Sequence, residues 1–177
     1  MKFYLVNENY LDFLRMSENK IMNGSSKYKG DKFVLGVVLN INSINYYAPI
    51  SSIKPYQLKD KLTLTKECRK TCFPIIGDDH KIDKILSTIR LDFMFPVPNT
   101  ELNELDINNL EDKIKYLIQK EYQYVTSCED EIYKKANDVY NKAIIATHFL
   151  HNKCCDFKLL EVKYQEWILN YNKKVEQ

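Results

Sequence analysis

Ser51-Ser52-Ile53-Lys54 follows the apolar run Tyr46–Ile50 and precedes Pro55. Hydroxyls and an ammonium displayed where a strand ends can grip a phosphodiester: the serines donate hydrogen bonds, and the lysine balances charge that builds in a transition state. The same residues open a basic stretch in which Lys54, Lys59, Lys61, Lys66, Arg69 and Lys70 face only Asp60 and Glu67. Serines after a strand are commonly turn residues, and a lysine-rich stretch is commonly a solvated face. Tyr10, Tyr28 and Lys32 tip the balance, because strand-end and loop placement brings them towards the same edge. Aromatic rings interleaved with lysine suit single-stranded RNA, whose bases stack while its phosphates meet ammonium groups.

Other chemistries fare less well. His148, His151, Cys154 and Cys155 crowd together, and imidazole with thiolate is a zinc donor set. Their spacing is not that of a zinc finger, however, and adjacent cysteines usually point apart, so no metal is expected. Cys68 and Cys72 lack a matching second pair, while Asp78, Asp79, His80 and Asp83 read as a polar turn after Gly77. Neither a G-x-G-x-x-G nor a G-x-x-x-x-G-K-[ST] loop is present, which disfavours nucleotide-driven chemistry. No G-x-S-x-G elbow exists for a serine hydrolase, and a cysteine nucleophile has only His151 beside Cys154 and Cys155 as a partner. No cofactor is expected.

The elements that must hold these residues follow from hydrophobic periodicity. Met1–Val6 reads as a strand, and Asn7 as the cap of a helix carrying Tyr10, Leu11, Phe13 and Leu14. Ser17–Asp31 has the composition of a mobile surface loop. Phe33–Leu39, a polar turn over Asn42–Asn45 and Tyr46–Ile50 together predict a central β-hairpin. Leu62–Thr65, Cys72–Ile76 and Leu91–Phe95 within Ile85–Val97 read as further strands. Beyond Pro98 the pattern is helical. Asn108 or Asn109 caps a segment burying Leu110, Ile114, Leu117 and Ile118, Ser127 starts a helix running towards His148, and Asp156 caps a third. Strands first and helices second define an α+β class, expected as a single domain over residues 1–177.

Composition agrees with this outline. The 177 residues include 13 Tyr and 8 Phe but only 4 Gly and 5 Pro, which argues against disorder and low-complexity classes. Net charge is +2, yet residues 1–100 carry 15 basic and 10 acidic side chains while residues 101–177 carry 11 and 14. Five cysteines form an odd set, and the opening MKFYLVNENY is not that of a signal peptide. Reduced thiols and a cytoplasmic location are the expectation, with no membrane span.

Over most of its length the sequence resembles the ToxN/AbiQ family of type III toxin–antitoxin and phage abortive-infection endoribonucleases. The resemblance rests on MKFYLV with Tyr10, on Tyr28 to Leu39, on Tyr47-Ala-Pro-Ile-Ser-Ser-Ile-Lys54, on Leu91-Asp-Phe-Met-Phe-Pro96 and on Cys155 to Tyr164, in that order. It departs where Ser51 replaces the family's threonine and Ile53 its proline. The resemblance implies a compact, strongly twisted antiparallel sheet wrapped by helices, similar to the MazF/Kid toxins. It also implies metal-independent RNA cleavage, and a repeat-encoded RNA pseudoknot antitoxin that the toxin processes and holds in a closed ring. Carried onto this chain, the catalytic positions are Tyr10, Tyr28, Lys32, Ser51, Ser52 and Lys54. The resemblance adds Lys120, on a helix, to the RNA-binding positions Lys59, Lys61, Lys66 and Arg69 expected from the basic stretch. The reaction implied is attack by the RNA 2′-hydroxyl, leaving a 2′,3′-cyclic phosphate and a 5′-hydroxyl. Two other classes remain open on the residues alone: a non-catalytic RNA-binding module using the same basic edge, and an adaptor using the acidic helical half.

Overall fold

The computed structural model describes residues 1–22, 34–79 and 82–175. Strand β1 (Phe3–Val6) leads into helix α1 (Glu8–Arg15), whose first turn is capped by the Asn7 side chain accepting the Asn9 N–H at 3.0 Å. Strands β2 (Val34–Ile41) and β3 (Ile44–Ser52) form the expected hairpin. Its two-residue turn places Asn42 and Ser43 at φ 49° and 65°, the left-handed pair whose twist matches the strands it joins.

Two short strands, β4 (Leu58–Asp60) and β5 (Thr63–Leu64), pair with each other. Then β6 (Cys72–Asp79) and β7 (Ile82–Arg90) form a second long hairpin, followed by β8 (Phe95–Pro96) and β9 (Leu102–Glu104). Helices α2 (Asp112–Ser127), α3 (Glu129–Ala143) and α4 (Phe157–Val175) close the described chain.

Among the described residues the main sheet runs β6-β7-β3-β2-β1-β9, with β8 also on β3, and every pairing is antiparallel. β3 joins its two halves. Its first residues pair with β2 and β8, and its last three, Ile50 to Ser52, pair with β7. That change of partners, with register irregularities in β2 and in the β6–β7 hairpin, curls the sheet into a half-barrel. Gly36 marks a close approach: its N–H donates to Lys2 O at 2.6 Å, and a Cβ there would sit 2.9 Å from the same oxygen.

The main core fills the curl and is covered by the helices. Tyr46 from β3 meets Tyr140 of α3 and Phe157 of α4 edge-on, and Tyr140 stacks on Phe157 with centroids 5.5 Å apart. Glu161 accepts from the hydroxyls of both Tyr46 and Tyr140, which satisfies polar atoms that burial would otherwise strand. A smaller core of Leu64, Cys72 and Ile85, edged by Ile53, Leu58, Cys68 and Ile76, docks the β4–β5 hairpin against β6 and β7.

Several expectations need correction. Leu91–Phe93 is a 3-10 turn and only Phe95–Pro96 pairs, because Asp92 turns inward to bind Arg90 through both carboxylate oxygens, at 3.0 and 2.8 Å. Asp106, not Asn108 or Asn109, caps the turn before α2, accepting Asn108 N–H at 3.0 Å. The face that α2 buries is Ile118, Glu121 and Val125, while Ile114 and Leu117 stay exposed. Ser127 ends α2 rather than starting α3, its hydroxyl donating to Tyr124 O at 2.8 Å, and α3 stops at Ala143, short of His148. Asp156 does cap α4, accepting Leu159 N–H at 3.0 Å. The loop expected over 17–31 is described only as far as Met22, and the turn residue His80 also lies outside the described residues.

Candidate active site

β3 stops pairing at Ser52, its register partner Ser87 being the last contact with β7. Ser51 is half-buried and Ser52 exposed. Because neighbouring residues of a strand project to opposite faces, Ser51 shares its face with Thr88 and Ser52 shares its own with Ser87. The Thr88 hydroxyl donates to Ser51 O at 3.4 Å, holding the strand end from behind. Among the described residues the Ser51 hydroxyl reaches only Ser52 O, at 3.5 Å, a contact too long to compete with an incoming acceptor.

Lys54 follows in extended backbone and is exposed. Its N–H donates to Gln57 Oε1 at 2.8 Å, and its carbonyl accepts Gln57 N–H at 2.9 Å. Gln57 is buried, its carbonyl accepts Thr65 N–H at 2.8 Å, and its Nε2 lies 3.7 Å from Cys68 Sγ. The main chain of Lys54 is thus fastened to the β4–β5 hairpin while its ammonium projects into solvent. Gln57 carried no sequence signal beyond its place three residues after Lys54.

The remaining basic residues lie on the segment that follows this strand end. Lys59, Lys61, Lys66 and Arg69 are exposed. Lys61 O accepts Ile85 N–H at 2.9 Å, and Lys135 of α3 donates to Arg69 O at 2.6 Å, so the segment is tied to β7 and to α3. Lys70 is bound to Glu67 at 2.6 Å and lies over the Phe149 ring.

Two expected positions stand apart from the group. Tyr10 is wholly buried, with its hydroxyl donating to Pro96 O at 2.8 Å and its ring against Trp167 of α4. Burial pushes the phenol well above its ordinary pKa. Pro96 opposes Tyr46, and at the rise of a strand Tyr46 lies about 16 Å from Ser51. Lys120 is ion-paired with Asp78 at the far end of β6 and sits over the Tyr116 ring; its bond to Asp78 raises its pKa. Its charge is already matched. Tyr28 and Lys32 lie outside the described residues.

The histidine–cysteine group is dispersed by its own hydrogen bonds. His148 Nδ1 accepts Leu150 N–H at 3.1 Å, and His151 Nδ1 lies 2.8 Å from Ala143 O. Cys154 and Cys155 are buried, which pushes the Cys154 thiol up to about 12 and the Cys155 thiol higher still. Neither is a ready thiolate at neutral pH. Among the described residues no three His, Cys, Asp or Glu side chains converge as a metal set, and all five cysteines are free thiols. No helix there is long and apolar enough to cross a membrane.

The chain as a whole has known relatives. The family described as toxin ToxN of type III toxin–antitoxin systems matches residues 2–165. The chain is 33% identical over 169 residues to the endoribonuclease AbiQ of Lactococcus lactis subsp. lactis, covering 92% of this chain and 87% of that one. It is 28% identical over 169 residues to the endoribonuclease ToxN of Pectobacterium atrosepticum, covering 94% of each. The solved structure of AbiQ, a lactococcal anti-phage endoribonuclease of the type III toxin–antitoxin class, superposes with a TM-score of 0.79 at 28% identity over 94% of this chain and 96% of that one. A second solved structure, from a bacterial antiviral system regulated by a processed non-coding RNA, gives 0.76 at 28% identity, covering 94% and 98%.

Proposed function

The chain belongs to the ToxN family of type III toxin–antitoxin toxins, and from that premise we propose that it is an endoribonuclease whose chemistry is carried by the free end of β3. The observation behind this reading is Lys54, whose backbone is held at both N–H and carbonyl by buried Gln57 while its ammonium is exposed beside two serines. With the main chain already fixed, only the side-chain stem of this cation is ordered on meeting a phosphate.

The reaction is an in-line attack by the substrate's 2′-hydroxyl on the adjacent phosphorus. The P–O5′ bond breaks, the 5′-oxygen leaves with a proton, and the products end in a 2′,3′-cyclic phosphate and a 5′-hydroxyl. Lys54, with Lys32 from outside the described residues, stabilises the charge that gathers on the non-bridging oxygens. Ser51 and Ser52, at the end of β3's pairing, orient the non-bridging oxygens by donating hydrogen bonds, and Tyr28 completes the set. Lys59, Lys61, Lys66 and Arg69 track the RNA backbone on either side. The charge balance is met by side chains, so the cleavage is metal-independent. Tyr10 serves the same site indirectly, by seating α1 on the sheet.

The same basic residues hold the inhibitor, a repeat-encoded RNA that folds as a pseudoknot and is cut from its precursor by this chain. Relatives named as endoribonucleases, and a solved relative regulated by a processed non-coding RNA, support that assignment. Protein and RNA alternate in a closed ring, and the curled sheet corresponds to that of the MazF/Kid toxins. The chain acts as one domain in the cytoplasm.

Incubation of the pure protein with RNA in EDTA tests the reading. Discrete cuts with cyclic-phosphate ends are expected, and a 2′-deoxy nucleotide on the 5′ side of the cut stops cleavage while binding persists. Retention without cleavage identifies a binding module instead, and activity lost in EDTA but restored by a divalent ion identifies a metal nuclease.

A further inference from the structure

The face that carries Ser52 continues into the protein. Ser52 and Ser87 are directly opposed across β3 and β7, and such pairs project together with Cβ atoms about 5 Å apart, within reach of a hydroxyl–hydroxyl bond. Ser52 is exposed and Ser87 is buried, so the pair forms a step from solvent to interior. Ser87 Oγ is shut off from solvent without a hydrogen-bond partner at ordinary distance. Interior hydroxyls are rarely left so, and each exception calls for a reason.

What Ser87 faces is the carboxyl of Glu121. This side chain comes from α2, is 3% exposed, and feels the Ser87 hydroxyl, which favours its ionised form. Burial acts the other way and prevails, raising the pKa of Glu121 above its ordinary value. The elements packed around it carry Asp78 on β6, Asp83, Lys84 and Arg90 on β7, Lys120 on α2 itself, and the charged side chains of α3. Among the described residues none of these acts on the carboxyl. Among the described residues Glu121 is thus a buried acid with one polar neighbour acting on it, and that neighbour stands beside Ser52.

We propose that Glu121 and Ser87 are positioning residues for Ser52: on substrate binding, small rotations of the serine side chains close two hydrogen bonds that the structure holds open, the carboxyl O–H of Glu121 donating to Ser87 Oγ and the Ser87 O–H to Ser52 Oγ, and the Ser52 proton is thereby directed outward to a non-bridging phosphate oxygen. A hydroxyl that already accepts one hydrogen bond presents its own proton in a fixed direction. The inference rests on the reading of Ser52 as a phosphate-binding residue. It also carries a sign. Once Glu121 loses its proton it accepts only, so Ser87 turns inward, Ser52 donates to Ser87, and the outward proton is withdrawn. The contribution is present at low pH and is lost as pH rises through the raised pKa of Glu121.

The test uses the full chain and total cellular RNA, with the fastest-cut site remade as a 5′-labelled oligoribonucleotide. kcat and KM are measured against pH for wild type, Glu121→Leu, Glu121→Gln and Ser87→Ala, each checked for folding by thermal melting. Glu121→Leu and Ser87→Ala should lose about tenfold in kcat at low pH with little change in KM, the equivalent of one hydrogen bond. Glu121→Gln should recover most of that loss, because its amide donates at every pH, and should lack the wild-type decline at high pH relative to the intrinsic rise of 2′-hydroxyl attack. A folded Glu121→Leu or Ser87→Ala chain with wild-type kcat and an unaltered pH profile overturns the positioning role alone. A wild-type chain that cuts no RNA overturns the nuclease reading, and this inference with it.

Discussion

Replacing Lys54 by Ala separates fold from chemistry. Both backbone contacts of Lys54 to Gln57 survive the change, since they use only main-chain atoms of residue 54. The side chain is exposed, so the stability change should lie within about 0.5 kcal/mol either way. The rate should behave very differently. A unit charge about 4 Å from the ammonium interacts by about 4 kcal/mol at the effective dielectric of a protein surface. Only the part that grows between ground and transition state accelerates the reaction, and loss of one preorganised oxyanion partner costs about 10²- to 10³-fold. Single-turnover cleavage of a labelled RNA should fall by that factor. Affinity should fall less, with the slope of log K against log salt reduced by about one. Gel-resolved cleavage, filter binding across a salt series and a thermal melt measure the three quantities. A folded Lys54→Ala protein cutting within threefold of wild type would refute the assignment.

Tyr10→Phe should cost about 1 kcal/mol of stability through the lost bond to Pro96 O, seen in denaturant melts, and leave the cleavage rate of the folded protein nearly unchanged. A large rate loss without a stability loss would return Tyr10 to the reacting group. Gly36→Val forces backbone apart where Lys2 O lies 2.9 Å from a would-be Cβ, and should destabilise by about 1–3 kcal/mol; an unchanged melting temperature would contradict the close approach of β1 to β2. For Glu121 the folded-state pKa is raised, so its stabilising contribution is full below the unfolded value near 4.5 and is lost as pH rises towards the folded one. Glu121→Gln should gain on wild type by about 1.4 kcal/mol per pH unit inside that window. A gap between the two melting temperatures that is constant with pH would show that the carboxyl is not buried as described.

Local signals in the sequence located the hairpin, the caps at Asn7 and Asp156 and the candidate strand end. Asn42-Ser43 lies between two β-rich runs, Asn7 and Asp156 each precede an apolar helix face, and Ser51 to Lys54 are contiguous, so no tertiary information was needed to find them. What escaped was set by partners distant in sequence. Leu91–Phe95 has strand composition, but the bond from Asp92 to Arg90 folds it into a turn. Ile114 and Leu117 have helical apolar spacing, yet β6 meets the neighbouring face of α2, bringing Glu121 into the interior with Ile118 and Val125. The spacing of 118, 121 and 125 was visible, but a glutamate among apolar positions reads as an interruption until its burial is known. Tyr10 was grouped with the catalytic residues by resemblance, and only the packing against Trp167 and Pro96 shows it in the core.

The satellite core under the β4–β5 hairpin divides the molecule into parts of unequal strength. Ser51 and Ser52 hang from β3, which the main core anchors, whereas Lys54 and its basic neighbours depend on three buried side chains, Leu64, Cys72 and Ile85. So small an apolar cluster opens at lower free energy than the rest. On warming or in mild denaturant, residues 53–70 should exchange their amide hydrogens first, and cleavage should fail while the helices and the long hairpins are still intact. The toxin would then be disarmed reversibly, through a partial melting that leaves the bulk of the fold to rebuild it.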